Sequence, residues 1–341
     1  MFERMRSRTV ILSVLAFLLV VLFVTDLLVG SVAIPLSEAI GAIVRGSGSD
    51  EVVAIVRGVR LPEALTAVLA GAGLAACGLI MQTLFRNPLA GPGVLGISSG
   101  ASLGVALVLL ARPVWNAALP LEAATTTAAM LGALAVLLLI VAADRRLGDG
   151  VTLLIIGIMV GHVCGALISV LQSASWAEAL KSYVLWSMGT FAATTPRNIG
   201  WLAVVVALGT MGAFRAIKPL NALLLGDDLA ASMGVDVRNM RRVLILIAGS
   251  LAGVVTAFCG PVAFLGLATP HIARAAIRSN DHLHLMPTTV LTGAVLAVGC
   301  DLLVRSTGAV HALPLNAVTS LLGAPVVVWV LLRGRKWART R

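Results

Sequence analysis

The sequence predicts an all-α, polytopic membrane protein with about ten transmembrane helices. Of its 341 residues, 59% are hydrophobic and only 12% are charged, whereas soluble domains average roughly 45–50% and about 25%. Uncharged runs such as 9–24, 128–143 and 199–214 approach the roughly 20 residues that cross the hydrocarbon core of a bilayer. These observations exclude a soluble enzyme and favour one transmembrane domain over residues 1–341.

Hydropathy divides the chain into apolar segments, each of which predicts one membrane span. The segments lie near residues 9–30, 62–84, 92–111, 124–143, 152–173, 199–217, 242–260, 262–278, 286–305 and 315–332. The first follows Arg4, Arg6 and Arg8, as the apolar part of a signal peptide would, but it continues through Val29 without a convincing cleavage site of small residues. We therefore expect it to be retained as a span.

The distribution of basic residues predicts the orientation in the membrane. With the N-terminus inside, 18 of the 25 Lys and Arg residues fall in cytoplasmic segments and 7 in outer ones. Cytoplasmic loops carry such an excess of positive charge, so both termini are expected to be cytoplasmic. The net charge of +10 follows from this placement and does not indicate a nucleic-acid partner.

A weak internal repeat suggests two related halves with an offset of 182 residues (251 − 69). The matching positions are Leu69–Gly71 with Leu251–Gly253, Cys77–Gly78 with Cys259–Gly260, and Pro88 with Pro270. With ten spans the two copies cross the membrane in opposite directions, as in the inverted repeats of many transporters.

Two overlapping patterns, Gly96-Ile-Ser98-Ser-Gly100 and Gly100-Ala-Ser102-Leu-Gly104, match the G-x-S-x-G motif of serine hydrolases. That motif requires a strand before the nucleophile, and no strand is predicted here. Close packing of small residues between membrane helices explains the pattern better. We predict no catalytic residue, and an intramembrane serine hydrolase using Ser98 or Ser102 remains a minor alternative.

Ionisable residues within apolar segments are candidates for a transport pathway, because a charge in the bilayer is costly. Asp26 and Asp301 keep an ion-coupled secondary transporter open as an alternative function. His162 either lines a pathway or packs as a neutral, hydrogen-bonded side chain. We predict no metal site, because Cys77, Cys164, Cys259 and Cys300 are isolated. A solvated loop is favoured for the pair His282 and His284.

A phosphate-binding Walker A loop is absent from the sequence. It requires a lysine directly after a glycine, and none of the three lysines, Lys181, Lys218 and Lys336, follows one. The chain is therefore not an ATPase. A polar stretch at about 221–238, which contains Gly226 and Gly234, predicts short helices at the cytoplasmic membrane surface.

Several short motifs occur in a fixed order between about Val59 and Leu332. They are Arg60-Leu-Pro62, Arg86-Asn-Pro-Leu-Ala90 with Leu95-Gly96, Gly260-Pro-Val-Ala-Phe-Leu-Gly266 with Pro270-His271-Ile-Ala-Arg274, Leu313-Pro314, Thr319, and Leu322-Gly-Ala-Pro325. On these motifs the chain resembles the permease subunits of ATP-binding-cassette (ABC) importers for ferric siderophores, haem and vitamin B12. The resemblance implies an inverted-repeat permease of the vitamin B12 importer type in a bacterial cytoplasmic (inner) membrane.

The resemblance also implies the partners of the chain. It implies a homodimer with a second permease copy, two ATP-binding subunits that use ATP and Mg, and a substrate-binding protein on the outer face. The permease itself then binds no cofactor, and its surroundings are membrane lipid. The implied substrate is an iron chelate, with a ferric siderophore first, haem second and vitamin B12 third.

Three groups of residues are carried over by the same resemblance. Arg60 and Arg305 match arginines that dock the binding protein. The position three after Arg60 is Glu63 instead of a second arginine, and Arg57 is expected to substitute for it.

The other two groups lie on the cytoplasmic side. The ATPase-coupling group is Gly226, Asp227, Asp228 and Ala231, and the cytoplasmic gate is Asn87, Leu89, Gly150 and Val151.

Overall fold

The computed structural model describes residues 2–30, 32–111, 120–306 and 313–338, and within these ranges the chain is helical with no strand. The helices are α1 (Phe2–Leu28), α2 (Leu36–Arg45), α3 (Asp50–Ile55), α4 (Leu61–Leu84), α5 (Ile97–Leu110), α6 (Leu121–Leu147), α7 (Gly150–Ser173), α8 (Ala177–Ser187), α9 (Ile199–Arg215), α10 (Ile217–Leu223), α11 (Asp227–Ser232), α12 (Val237–Cys259), α13 (Leu265–Ile277), α14 (His282–Ser306) and α15 (Leu315–Ala338). A π-helical turn, Val56–Arg60, joins α3 to α4, and a 3₁₀ turn, Pro92–Leu95, precedes α5.

Ten of these helices correspond to the ten predicted spans, but not all of them have the length of a full span. In the described part of the chain, six helical segments are long and apolar enough to cross a membrane, and α9 with α10 makes a seventh that is bent by 57°. Helices α5 and α13 have 14 and 13 residues, or about 20 Å at roughly 1.5 Å per residue. The predicted all-α membrane fold is confirmed, with α5 and α13 shorter than expected.

Helix α4 lies at the centre of the bundle and packs against α9, α12, α13 and α14. Glycines permit its closest approaches. A Cβ atom on Gly71 would lie 2.3 Å from the carbonyl oxygen of Gly293 in α14, and one on Gly78 would lie 1.7 Å from that of Gly266 in α13. Backbones come this close only where a side chain is absent, which is the usual use of small residues between membrane helices.

The two copies of the internal repeat lie on α4 and α12, which are neighbours and run antiparallel. The Cys77 thiol donates to the Ala248 carbonyl at 3.2 Å. Gly73, one turn earlier in α4, faces Leu251, which lies later in α12. This opposite course agrees with an inverted repeat. All four cysteines are buried and outside disulfides.

Three further helices were not predicted from the sequence. Helices α2 and α3 form a small apolar cluster around Ala39, Ala42 and Val56, beside the π-helical turn that leads into α4. Helix α8 packs against α5. Each of them is too short to predict a span from hydropathy.

Candidate functional site

A cavity of about 650 Å³ lies beside α7 and brings together two of the predicted site residues, Leu89 and His162. Its polar lining consists of Ser98, His162, Thr256 and Asn316, and the rest of the described lining is apolar or glycine. Its other lining residues are Leu74, Gly91, Pro92, Gly93, Val94, Gly157, Ile158, Gly161, Pro261, Val262, Ala263, Phe264 and Leu267. Largely apolar walls with a few polar groups are typical of ligand pockets.

One wall of the cavity is the segment between α12 and α13, which α15 holds in place. The Asn316 side chain donates to the carbonyl of Pro261 at 2.7 Å and accepts from the amide of Ala263 at 2.9 Å. Phe264, at the end of this segment, has a φ of 61°, in the left-handed region that is costly for a bulky residue. Such strain persists only where surrounding contacts impose it and is concentrated at functional sites. The sequence contains Asn316 but gave no indication of this contact.

The predicted gate residues surround the C-terminal end of α4. In the loop after α4, the Asn87 side chain accepts from the Leu89 amide at 2.9 Å, and the Pro88 carbonyl lies 2.8 Å from the His271 imidazole. The start of α7 is adjacent, because a Cβ on Gly150 would lie 3.6 Å from the Phe85 ring. Val151 is exposed. The structure thus brings the two predicted pairs to one place, and their role as a gate stays a prediction.

The predicted coupling residues lie on α11 and the residue before it. Gly226 has a φ of 119°, Asp228 and Ala231 are exposed, and Asp227 is half-exposed. The Asp227 carboxylate accepts from Arg86 and, at 2.9 Å, from Arg241. Their role in contacting an ATPase is a prediction that the fold leaves open.

Buried charges support this ion network from the interior. Asp144, at the end of α6, lies 3.9 Å from Arg241 and 3.5 Å from Arg242 in α12. Sequence reasoning missed Arg86, Asp144 and Arg241 as members of this network. The only indication in the sequence was that charges are costly in a predominantly apolar protein.

Of the three predicted docking arginines, Arg57 is exposed and Arg60 is buried. Arg57 donates to the Ile43 carbonyl at 2.9 Å, where α2 ends. Arg60 is 4% exposed, and its guanidinium donates to the Leu27 and Leu28 carbonyls at 2.9 Å and to that of Val32. A cation at the C-terminal end of a helix is favourable, so Arg60 joins the end of α1 to α4.

Arg305 lies in a buried cluster with three carboxylates. Its guanidinium is 2.6 Å from Glu63, 3.1 Å from Asp301 and 3.6 Å from Asp26, and its side chain is 10% exposed. Glu63, which stands where a second docking arginine was expected, is therefore the internal partner of Arg305. Docking by Arg60 and Arg305 stays a prediction, and both already hold partners within the chain.

The residues of the two alternative functions have other partners in the structure, although Ser98 also lines the cavity. Asp26 and Asp301 belong to the Arg305 cluster and do not line the cavity. The Ser98 hydroxyl lies 3.0 Å from that of Thr256, and Ser102 donates to the Ser98 carbonyl at 2.9 Å. Neither serine has a histidine partner among the described hydrogen bonds, as a nucleophile would require.

The solvated loop expected at His282 and His284 is wrong for His282, which is buried and is the first residue of α14. The His282 ring contacts Asn221 and Thr83, both at 2.8 Å. The amide of Leu283 donates to the Asp281 carboxylate, as does the Asn221 side chain, and these bonds lower the pKa of Asp281. Within the described residues, His, Cys, Asp and Glu form no cluster of three that could hold a metal ion.

Comparison with known proteins gives concordant matches. The FecCD transport family matches residues 18–333. The hemin transport system permease protein HmuU of Yersinia pestis is 38% identical over 285 residues, which cover 82% of this chain and 83% of that protein. The vitamin B12 import system permease protein BtuC of Klebsiella pneumoniae is 36% identical over 281 residues, covering 81% and 82%.

A solved structure is similar over almost the whole chain. It is an inward-facing transporter assigned to the metal-chelate type of ABC transporter, with a TM-score of 0.81 and 29% identity, and the match covers 95% of this chain and 99% of that one.

Proposed function

The chain belongs to the FecCD transport family, and we propose that it is the membrane-spanning subunit of an ABC importer that moves a metal chelate into the cytoplasm. As a member of this family it is a permease and not an enzyme. The observation that carries the proposal is the 650 Å³ cavity, whose lining includes both the predicted gate residue Leu89 and His162. ATP is hydrolysed by a separate subunit, since this sequence has no Walker A loop.

A second copy of the chain completes the pathway in this proposal. Gly157, Ile158, Gly161 and His162 of α7 line the cavity, yet much of α7 faces away from the rest of its own bundle. Packing two such faces together encloses the cavity between the copies and places His162 beside the substrate. We also propose, from the distribution of basic residues, that both termini and α11 lie on the cytoplasmic side of a bacterial inner membrane and that Arg57 lies on the outer side with the binding protein.

For the substrate we propose a metal chelate, with the iron chelates ferric siderophore and haem as the first two candidates and vitamin B12 as the third. In such compounds the metal charge is masked by an organic ligand, so mostly apolar walls with four polar side chains suit them. The shared motifs occur in permeases for all three, and the similar proteins named above serve hemin and vitamin B12.

The test is uptake by purified complexes in vesicles. The permease is co-expressed with an ATP-binding subunit and a binding protein from the same genome, reconstituted, and supplied separately with a labelled ferric siderophore, hemin and vitamin B12. We expect ATP-dependent accumulation of one chelate. Uptake driven by an ion gradient through the permease alone, without ATP, would refute the proposal in favour of a secondary transporter.

A further inference from the structure

Arg86 and Asp227 connect two regions that lie far apart in the sequence. Arg86 stands between the end of α4 and the gate residues Asn87 and Leu89, and its guanidinium pairs with Asp227 in the first turn of α11. Arg86 has a φ of 45°, a left-handed conformation that is uncommon outside glycine, asparagine and aspartate. The loop that carries Asn87 and Leu89 therefore begins at a strained residue, and the side chain of that residue is paired with α11, the predicted coupling helix.

The second oxygen of the same carboxylate reaches the other side of the gate. Asp227 Oδ2 accepts from Arg241 Nη2 at 2.9 Å. The other terminal nitrogen of Arg241 donates to the Gly148 carbonyl at 2.5 Å, two residues before Gly150. One carboxylate on α11 is therefore connected through two arginines to both predicted gate pairs.

We propose that Asp227 is a positioning residue that transmits movement of α11 to both sides of the cytoplasmic gate, through Arg86 and through Arg241. The inference rests on the proposed function, which makes α11 the helix that an ATPase moves. It also separates the roles of two neighbouring carboxylates. Asp228 is exposed and, among the described contacts, has no ion pair, so it is free to meet the ATPase, whereas Asp227 works inside the permease.

The exposure of the pair makes the inference testable without unfolding the protein. The side chains of Arg86 and Asp227 are 48% and 46% exposed, and ion pairs at such positions add little to stability. Replacing either residue should leave a folded dimer that still binds the ATPase, while movement of α11 no longer reaches the gate. Replacing Arg241 or Asp144 would be less informative, because both side chains are buried.

The experiment compares uptake with ATP hydrolysis in the same vesicles, using the complete transporter and whichever of the ferric siderophore, hemin and vitamin B12 the uptake assay shows to be transported. We expect Asp227→Asn and Arg86→Asn each to lower the chelate taken up per ATP by about five-fold or more, the lower end of typical coupling between sites. The double variant should be no worse than Asp227→Asn alone, because Asp227→Asn already breaks the connection that Arg86→Asn removes. Arg86→Lys should restore most of the coupling. Asparagine is the substitute at position 86 because it tolerates the left-handed backbone conformation there.

Arg278→Asn is the matched control. Arg278 is also a left-handed arginine in a cytoplasmic turn, with a φ of 50°; it is exposed and, in the described structure, has no ion pair. Its replacement should leave uptake per ATP unchanged.

Three results would overturn the inference: unchanged uptake per ATP in Asp227→Asn and Arg86→Asn, additive losses in the double variant, or lost ATPase binding in Asp227→Asn alone. If the wild-type complex transports none of the chelates with ATP, it is the proposed function that fails instead.

Discussion

Replacing Arg305 with Met removes the cation that lies beside all three carboxylates of its buried cluster. The guanidinium lies 2.6 Å from Glu63, 3.1 Å from Asp301 and 3.6 Å from Asp26. At an effective dielectric constant of about 20, unit charges at these separations attract by roughly 6, 5 and 5 kcal/mol. Desolvation and repulsion among the carboxylates cancel most of this gross attraction. Measured losses after removing one partner of a buried pair are about 3–5 kcal/mol, which we expect for Arg305→Met.

The expected loss has a defined location in the bundle. Asp26 lies near the end of α1, and Asp301 and Arg305 lie near the end of α14. Arg305 also donates to the Asp26 carbonyl at 3.1 Å. Helix α1 buries few of its own side chains, so its attachment at this end depends on the cluster and on Arg60. The end of α1 should therefore separate from α14 in the variant.

Two measurements test this prediction. The unfolding temperature of the purified protein should fall by at least about 6 °C, because each kcal/mol of lost stability lowers it by roughly 2–4 °C in domains of moderate size. Hydrogen exchange of the amides near Asp26 should become faster. Arg45→Met, a change at an exposed arginine of α2, is the control. Glu63→Gln should cost no more than about 1 kcal/mol, because it also removes carboxylate repulsion. An Arg305→Met variant as stable as the Arg45→Met control would refute the role of the cluster.

Two further predictions concern docking and packing. Arg57→Glu should weaken the affinity for the binding protein by at least about five-fold at low salt, and by less at high salt because exposed charges are screened. Arg45→Glu is the control. Equal affinities for the two variants would contradict docking at Arg57. Gly78→Ala should prevent accumulation of folded protein, because the new Cβ would lie 1.7 Å from the Gly266 carbonyl oxygen. The control Gly200→Ala should be tolerated, because nothing lies within 4 Å of a Cβ at that position. Normal thermal unfolding of purified Gly78→Ala would show that α4 and α13 can separate without cost.

Hydropathy alone predicted most of the fold, because the bilayer imposes length and composition on each span. It placed α6, α7 and α12 to within a few residues. It overestimated α13, which begins only at Leu265, because the apolar segment Gly260–Phe264 before it is a non-helical wall of the cavity. It missed α2, α3 and α8, which have 10, 6 and 11 residues, because hydropathy recognises only segments that are long enough to cross the membrane.

The site was harder to predict, because its contacts join residues that are distant in sequence. The resemblance identified Leu89, Asp227 and Arg305 as residues of interest. It could not indicate that Arg305 is held by Glu63, since that pairing depends on how α4 packs against α14. The expectation that Arg305 is available to a binding protein came from matching single positions without their neighbours. Charge pairs between helices become visible only when the bundle is assembled.

The Arg86–Asp227 pair differs in burial from the cluster around Arg305, and in the orientation proposed above that difference fits the direction in which the pathway must open. The outer cluster around Arg305 is buried, and breaking it leaves unpaired charges without water, so the outer ends of α1, α4 and α14 are fixed together. In the cytoplasmic network, Arg86 and Asp227 are half-exposed. Water can replace either partner there, so the pair can separate and form again at little cost. In the proposed orientation, contacts through Arg86 can therefore exchange at the cytoplasmic end, where an importer must release its substrate, while the buried Arg241–Asp144 pair keeps α12 beside α6.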